Sequence, residues 1–285
     1  MVTFKEPFSW SKDNFCYMLA PLEDITGNAF RTICYRYGAD LTFTVMTRVE
    51  GLAKRNKSTW SRLEFHDDTP TVIQLVGAGE QYFKKFLSEF RPHPGFQGFN
   101  LNLGCPSPDI VALGQGCVMS RRISKTRKIV EIFKERGFPI SVKMRLGLTA
   151  RDKTNKVYLN LLRGVEADFF IVHARYGLQG YTTPADFSVY EECVSTGRKI
   201  IANGDIKTQE QIDDLKSIGV IGAMIGRAAI SDPLIFRRLQ NQQVPLLQDV
   251  LNEYKALAQS YQEPFKYQKN ILKRAGTKYL EFSER

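Results

Sequence analysis

With 285 residues, 43% hydrophobic and 12% aromatic, the chain can bury a substantial core as one large barrel or two smaller units, which excludes intrinsic disorder. No run of about 18 apolar residues occurs, so no membrane span is expected, and Lys5, Glu6, Lys12 and Asp13 argue against a secretory signal. The formal charge of +10 favours a polyanionic partner, although a basic balance by itself is also common among proteins that bind no nucleic acid.

Short apolar runs alternate with helical patterns along the chain. Tyr17–Ala20 predicts a first strand that ends at Pro21-Leu22, and Leu41–Val45 a second that ends at Met46. Thr71–Leu75 follows, carrying Gln74, and then a helix over Gln81–Phe90. Gly98–Leu101 leads into Asn102 and a Gly104-Cys105-Pro106 turn. After a helix over Lys125–Arg136, Ile140–Lys143 runs on to Arg145. A helix over Lys153–Gly164 precedes Asp168–Val172, which ends at His173 and Arg175. Lys199–Ala202 ends at Asn203-Gly204-Asp205, and a helix over Gln209–Ile218 leads to Ala223–Ile225, which ends at Gly226-Arg227. The remainder reads as helices over Leu234–Gln240, Gln248–Tyr261 and Phe265–Tyr279, with a break near Val244-Pro245.

Eight strands alternating with helices imply parallel βαβ units closed into a (β/α)8 TIM barrel followed by a short helical region. The expected division is a barrel over 1–235 and a helical appendage over 236–285. An open doubly wound sheet is the alternative, but no G-x-G-x-x-G follows the first strand. In such barrels the chemistry collects at the C-terminal strand ends. Polar, reactive residues follow one apolar run after another here, which random placement does not explain.

Each candidate has a plain reading beside its functional one. The last two strand ends, Asn203-Gly204-Asp205 and Gly226-Arg227, suit a phosphate, since glycine permits close backbone approach and arginine offers a fork of donors. The plain alternative is an ordinary turn with a surface arginine. Lys143 in a barrel mouth needs an anionic partner, or serves as a Schiff-base lysine, or is simply solvated. His173 is a ligand-site residue or a satisfied core histidine, and its neighbours Arg175, Gln179 and Tyr181 favour the former. Gln74 offers an amide for a heterocycle edge.

Five cysteines, an odd number with no C-x-x-C pair, argue against both a disulfide framework and a zinc site, and His66, His93 and His173 are too scattered to suggest a metal cluster. They point instead to a reducing cytoplasm. Cys105, on a tight loop beyond a strand, can reach a bound ligand. An ordinary thiol with a pKa of about 8.5 is mostly protonated at neutral pH and can act as a general acid. Cys117 reads as structural or incidental.

Taken in order, Leu19-Ala20-Pro21-Leu22, Ile25-Thr26 with Phe30-Arg31, Tyr37-Gly38-Ala39-Asp40, Ile73-Gln74-Leu75 and Asn102-Leu103-Gly104-Cys105-Pro106 resemble the tRNA-dihydrouridine synthases. Val142-Lys143-Met144-Arg145-Leu146-Gly147, Val172-His173-Ala174-Arg175 with Gln179-Gly180-Tyr181, Ala202-Asn203-Gly204-Asp205-Ile206 and Met224-Ile225-Gly226-Arg227 continue the likeness across nearly the whole barrel. The resemblance implies FMN held by Pro21, Leu22, Gln74, Lys143, His173, Asn203, Gly204, Asp205, Gly226 and Arg227, and reduced by NADPH or NADH. It implies hydride delivery to C6 of a tRNA uridine and protonation of C5 by Cys105, with Asn102, Arg145, Arg175, Gln179 and Tyr181 around the base. It also implies a cytoplasmic enzyme that binds tRNA without a metal or a membrane, acting as a monomer.

The sequence departs from the family pattern in four places. Val45 stands where the family usually has an acidic residue, and Leu22 where methionine is common. The loop after Cys105 reads Gly114-Gln115-Gly116-Cys117-Val118-Met119 where the family usually has consecutive glycines followed by small residues, and the helical region after the barrel is short. These departures bear on which uridine is reduced and how tRNA is held. Rival readings are an FMN barrel oxidoreductase for a free small molecule, such as a dihydroorotate-type or ene reductase, a non-catalytic RNA-binding barrel, and a barrel aldolase built on Lys143.

Overall fold

The computed structural model describes residues 15–276. Nine strands form one parallel sheet: β1 (Cys16–Leu19), β2 (Thr42–Phe43), β3 (Thr47–Arg48), β4 (Thr71–Val76), β5 (Phe96–Leu103), β6 (Ile140–Arg145), β7 (Phe170–His173), β8 (Ile200–Asn203) and β9 (Gly222–Ile225). Hydrogen-bonded neighbours run β1-β9-β8-β7-β6-β5-β4-β2, and a parallel bridge between Met18 and Leu41 joins the two ends of that path. β2 and β3 both pair with β4, at Thr42–Thr71 and Thr47–Leu75, and share one position in the ring. The result is a (β/α)8 barrel.

The second strand is shorter than the run Leu41–Val45 suggests, and a side chain explains why. Thr44 Oγ1 accepts the Gln74 backbone N–H at 3.0 Å, in the place of a ladder carbonyl. The helix expected over Lys153–Gly164 is two helices, Ala150–Thr154 and Val157–Gly164, because Lys156 takes a left-handed conformation with φ of 51°. The last helix, Phe265–Arg274, ends before Tyr279, which lies outside the described residues. Among the described residues no helix is long and apolar enough to cross a membrane.

Strand alternation sorts the core into two layers. Cys16, Met18, Phe43, Val72, Ile171, Ile201 and Met224 pack inside the barrel. Leu19, Ile73, Leu101, Val142 and Val172 face outward, against helix residues such as Phe30, Phe83, Phe86 and Phe133. The inward parity is what builds the site. Val72 is followed two residues later by Gln74, Ser141 by Lys143 and Arg145, Ile171 by His173, and Ile201 by Asn203. Mostly apolar groups, with Asn100 and Ser141 among them, thus fill the lower barrel while the reactive polar ones reach its C-terminal mouth.

The helices after the barrel turn back onto it. Leu247–Ser260 packs on Asn28–Arg36, with the Phe30 and Tyr254 rings edge to face at 6.3 Å. Phe265–Arg274 packs against the short helix Arg227–Ser231.

Candidate active site

A cavity of about 800 Å³ opens at the C-terminal strand ends. It gathers Pro21, Leu22, Gln74, Asn102, Cys105, Lys143, Arg145, His173, Tyr181, Asn203, Gly204, Asp205, Gly226 and Arg227. Of the residues expected to hold the flavin, hold the base or donate the proton, only Arg175 and Gln179 stand outside its lining. Sequence reading missed Glu23, Arg48, Ser58, Thr59 and Arg62, which form another part of the wall. Glu23 and Arg62 pair at 2.7 Å, and Arg62 also donates to the Met46 carbonyl at 3.0 Å. Most of these come from the segment between β3 and β4, where no strand end announces them.

A chain of side-chain amides crosses the barrel interior and ends at the thiol loop. Asn100 Nδ2 donates to Ser141 Oγ at 2.9 Å, and Gln74 Nε2 donates to Asn100 Oδ1 at 2.8 Å. Asn102 Nδ2 then donates to Gln74 Oε1 at 2.9 Å. The Asn102 oxygen accepts the backbone N–H groups of Gly104 at 3.0 Å and Cys105 at 2.9 Å. The thiol loop is thereby folded onto a side chain whose orientation the neighbouring strands fix. Asn100 and Ser141 share the inward parity of Asn102 and Lys143, so the same alternation could have revealed them.

A second support lies under Cys105. The Cys117 N–H donates to the Cys105 carbonyl at 3.0 Å, and Cys117 Sγ donates to the Gly104 carbonyl at 3.0 Å. A Cβ at Gly116 would meet that Cys105 oxygen at 2.3 Å, so only glycine fits there, at a φ of 61°. Burial pushes the Cys117 thiol up to about 12, which makes it a packed hydrogen-bond donor and a poor nucleophile. Cys105 itself is half-buried and faces the cavity.

The cavity is cationic. Burial, with Arg145 beside it, lowers Lys143 to about 7, and the exposed part of its side chain opens into the cavity. Arg145 is held by the Tyr176 carbonyl at 3.1 Å, the Gly177 carbonyl at 3.3 Å and the Tyr181 hydroxyl at 3.1 Å. Burial keeps His173 well below its usual pKa, as do Arg145, Lys143, Arg175 and Arg227, so the imidazole is neutral. Its Nδ1 is buried and has no hydrogen-bond partner in the protein.

One carboxylate organises the far side. Asp205 bonds Arg227 at 2.7 Å and also pairs with Arg175. Burial alone would raise this carboxyl, but the Arg175 guanidinium and the Ala185 N–H outweigh it and hold it below the usual range. The Tyr181 ring is attended by three guanidiniums, with Arg227 Cζ at 4.1 Å, Arg175 at 5.4 Å and Arg145 at 5.5 Å from its centroid. Arg175 is fully buried, and its Nε donates to the Thr183 carbonyl at 2.8 Å. Gln179 accepts the Tyr176 N–H and donates to the Pro184 carbonyl. Both therefore shape the loop that carries Tyr181. Among the described residues no cluster of His, Cys, Asp and Glu suits a metal ion.

Comparison with known proteins points to one family. The family model described as "Dihydrouridine synthase (Dus)" matches residues 18–278. The protein called "tRNA-dihydrouridine(47) synthase [NAD(P)(+)]-like" of Rattus norvegicus is 31% identical over 228 residues, 79% of this chain and 36% of its own length. The chain thus spans about a third of that relative. "Probable tRNA-dihydrouridine synthase 2" of Bacillus subtilis (strain 168) is 29% identical over 233 residues, 78% of this chain and 71% of the relative. The solved structure of morphinone reductase shares the fold, with a TM-score of 0.55 at 10% identity over 82% of this chain and 87% of that one.

Proposed function

The chain belongs to the dihydrouridine synthase family, and from that premise we propose that it reduces uridine in tRNA to 5,6-dihydrouridine. The observation that carries the reading is the meeting of a loop-held thiol with a cationic pocket. Cys105 and the group Lys143, His173 and Arg227 line one cavity of about 800 Å³.

The residues present fit FMN. The partnerless Nδ1 of His173 and the Lys143 side chain, both at the cavity, offer polar contacts to a ring. Gly204, Gly226 and Arg227, at the ends of β8 and β9, suit a phosphate. Pro21, Leu22, Gln74, Asn203 and Asp205 complete the holding set. A bound flavin, reduced by NADPH or NADH, supplies the hydride for C6 of the uracil.

The rest of the reaction falls to this chain. Asn102 fixes the backbone of Cys105, whose Sγ–H is the proton for C5. Arg145 and Tyr181, bonded to each other, face the base, while Arg175 and Gln179 act on it by holding the Tyr181 loop. Lys143, at about 7 through burial, holds its proton more firmly beside gathering negative charge and then supplies a positive partner to it. The uridine has to leave its stack, at a cost of a few kcal/mol, which phosphate contacts from a basic surface offset. We assign that task in part to the helices after residue 235, and place the enzyme, as a monomer, in the cytoplasm with its tRNA.

The test is mass-spectrometric mapping of dihydrouridine in tRNA from cells with and without the gene, followed by reconstitution with purified protein, FMN and NADPH or NADH. Loss of the modified base at a defined position, restored by the protein, is the expected result. Reduction of free uracil or an enone with no effect on tRNA would replace the proposal with a small-molecule reductase.

A further inference from the structure

Helix Asn28–Arg36 begins at Gly27, a residue with no side chain to cap it. The missing acceptor comes from 234 positions away: the Ala29 N–H donates to Glu263 Oε1 at 3.2 Å. Glu263 is 8% exposed, and the Tyr254 hydroxyl donates to its other oxygen at 3.3 Å. The backbone of Gly27 is ordinary, with φ of −68°, so glycine is needed here for room alone. A Cβ at this position would lie 1.9 Å from Glu263 Oε1.

Two further contacts join the same pieces. Lys266 pairs with Asp24 at 2.5 Å, and Asn270 Nδ2 donates to the Asp24 carbonyl at 3.1 Å. The segment so gripped is one wall of the cavity, since Pro21, Leu22 and Glu23 all line it. Leu22 is locked to the helix start in turn. Its N–H donates to Thr26 Oγ1 at 3.0 Å, and the Thr26 N–H returns to its carbonyl at 3.0 Å.

We propose that Glu263 is a positioning residue for the cavity: it caps helix Asn28–Arg36 from the C-terminal helices and so fixes the Pro21–Gly27 wall. Helix N-termini need an acceptor for their first N–H groups, and a carboxylate also meets the positive end of the helix dipole. Supplying that acceptor from elsewhere in the chain makes the wall depend on docking of Leu247–Ser260 and Phe265–Arg274. A partner drawing on those helices is then felt at Pro21 and Leu22. The second readout below rests on the flavin reading of the cavity; the first does not.

Hydrogen exchange of flavin-free protein gives the first readout, with circular dichroism to confirm folding. Glu263→Ala is expected to speed exchange in residues 22–31 on the order of tenfold, leaving helix Ile123–Glu135 unchanged. The double variant Gly27→Asp/Glu263→Ala places a capping carboxylate at the N-cap itself and is expected to restore the wild-type rate. FMN titration, the second readout, should show weaker binding in the single variant and recovery in the double. Unchanged exchange in folded Glu263→Ala, or no recovery in the double variant, overturns the proposal. If Glu263→Ala does not fold, the double variant decides: folding with wild-type exchange upholds the cap, and continued failure to fold overturns it. Wild-type protein that binds no FMN would refute the flavin reading while leaving the exchange comparison intact.

Discussion

The side-chain oxygen of Asn102 holds the Cys105 backbone N–H at 2.9 Å, so the placement of the thiol is decided by an amide three residues earlier. That amide is oriented from β4 by Gln74. A proton donor needs a fixed distance and angle to its acceptor, and this pair supplies both.

Cys105→Ala should lower uridine reduction by roughly 10²- to 10⁴-fold, the usual worth of a general acid, with FMN retained. Single-turnover oxidation of reduced protein by tRNA measures it. Undiminished turnover would remove the thiol from the mechanism.

Asn102→Ala removes the acceptor for two N–H groups and frees Gln74 to turn. Turnover should fall about ten- to a hundredfold, since misplacement by an ångström costs that much. If tRNA affinity falls equally and turnover at saturation does not, Asn102 binds the base and does not place the thiol.

Arg227→Ala should weaken FMN binding roughly ten- to a hundredfold, in keeping with the loss of a charge-assisted hydrogen bond to phosphate. Fluorescence titration checks this, and equal retention would put the phosphate elsewhere.

Lys143 makes stability depend on pH. In the unfolded chain an ordinary lysine keeps its proton to about pH 10.4. In the folded, ligand-free protein burial brings this group to about 7. Between those values the unfolded state binds the extra proton, so this group's contribution to stability rises with pH through that window, while the buried thiols Cys16, Cys34, Cys117 and Cys193, raised by burial, pull the other way toward its upper end. Lys143→Met should remove that contribution, so that wild-type stability gains on the variant's as pH rises. Urea unfolding of both proteins from about pH 7 to about pH 10 tests it, and parallel curves would count against the shift.

Lys269 and Lys273 are exposed on the last helix, at its fifth and ninth residues. Replacing both with alanine should weaken tRNA binding and flatten its salt dependence by about one to two in the log–log slope. An unaltered slope would locate the phosphate contacts on another face.

Much of this site was legible in the sequence because barrel strands alternate. Gln74, Asn102, Lys143, His173 and Asn203 each follow an apolar run, and the inward parity carries them to the mouth. Interactions over long separations were not legible. Thr44 interrupts its own strand by bonding Gln74, and nothing in the run Leu41–Val45 reports that. Arg175 reads as a ligand-facing group beside His173, yet Asp205 and the Thr183 carbonyl draw it wholly inside. Lys156 breaks a periodic helical pattern through one backbone angle, which side-chain spacing does not encode. Glu263 gives no signal at all until the fold carries it to Gly27.

The amide chain from Ser141 to Cys105 couples the barrel's depth to its mouth. Its deep members are both held and holding, so an isolated change at Asn100 or Ser141 strands a partner in the barrel interior, away from the cavity. A change at Asn100 or Ser141 alone is therefore expected to loosen the setting of a thiol neither residue touches.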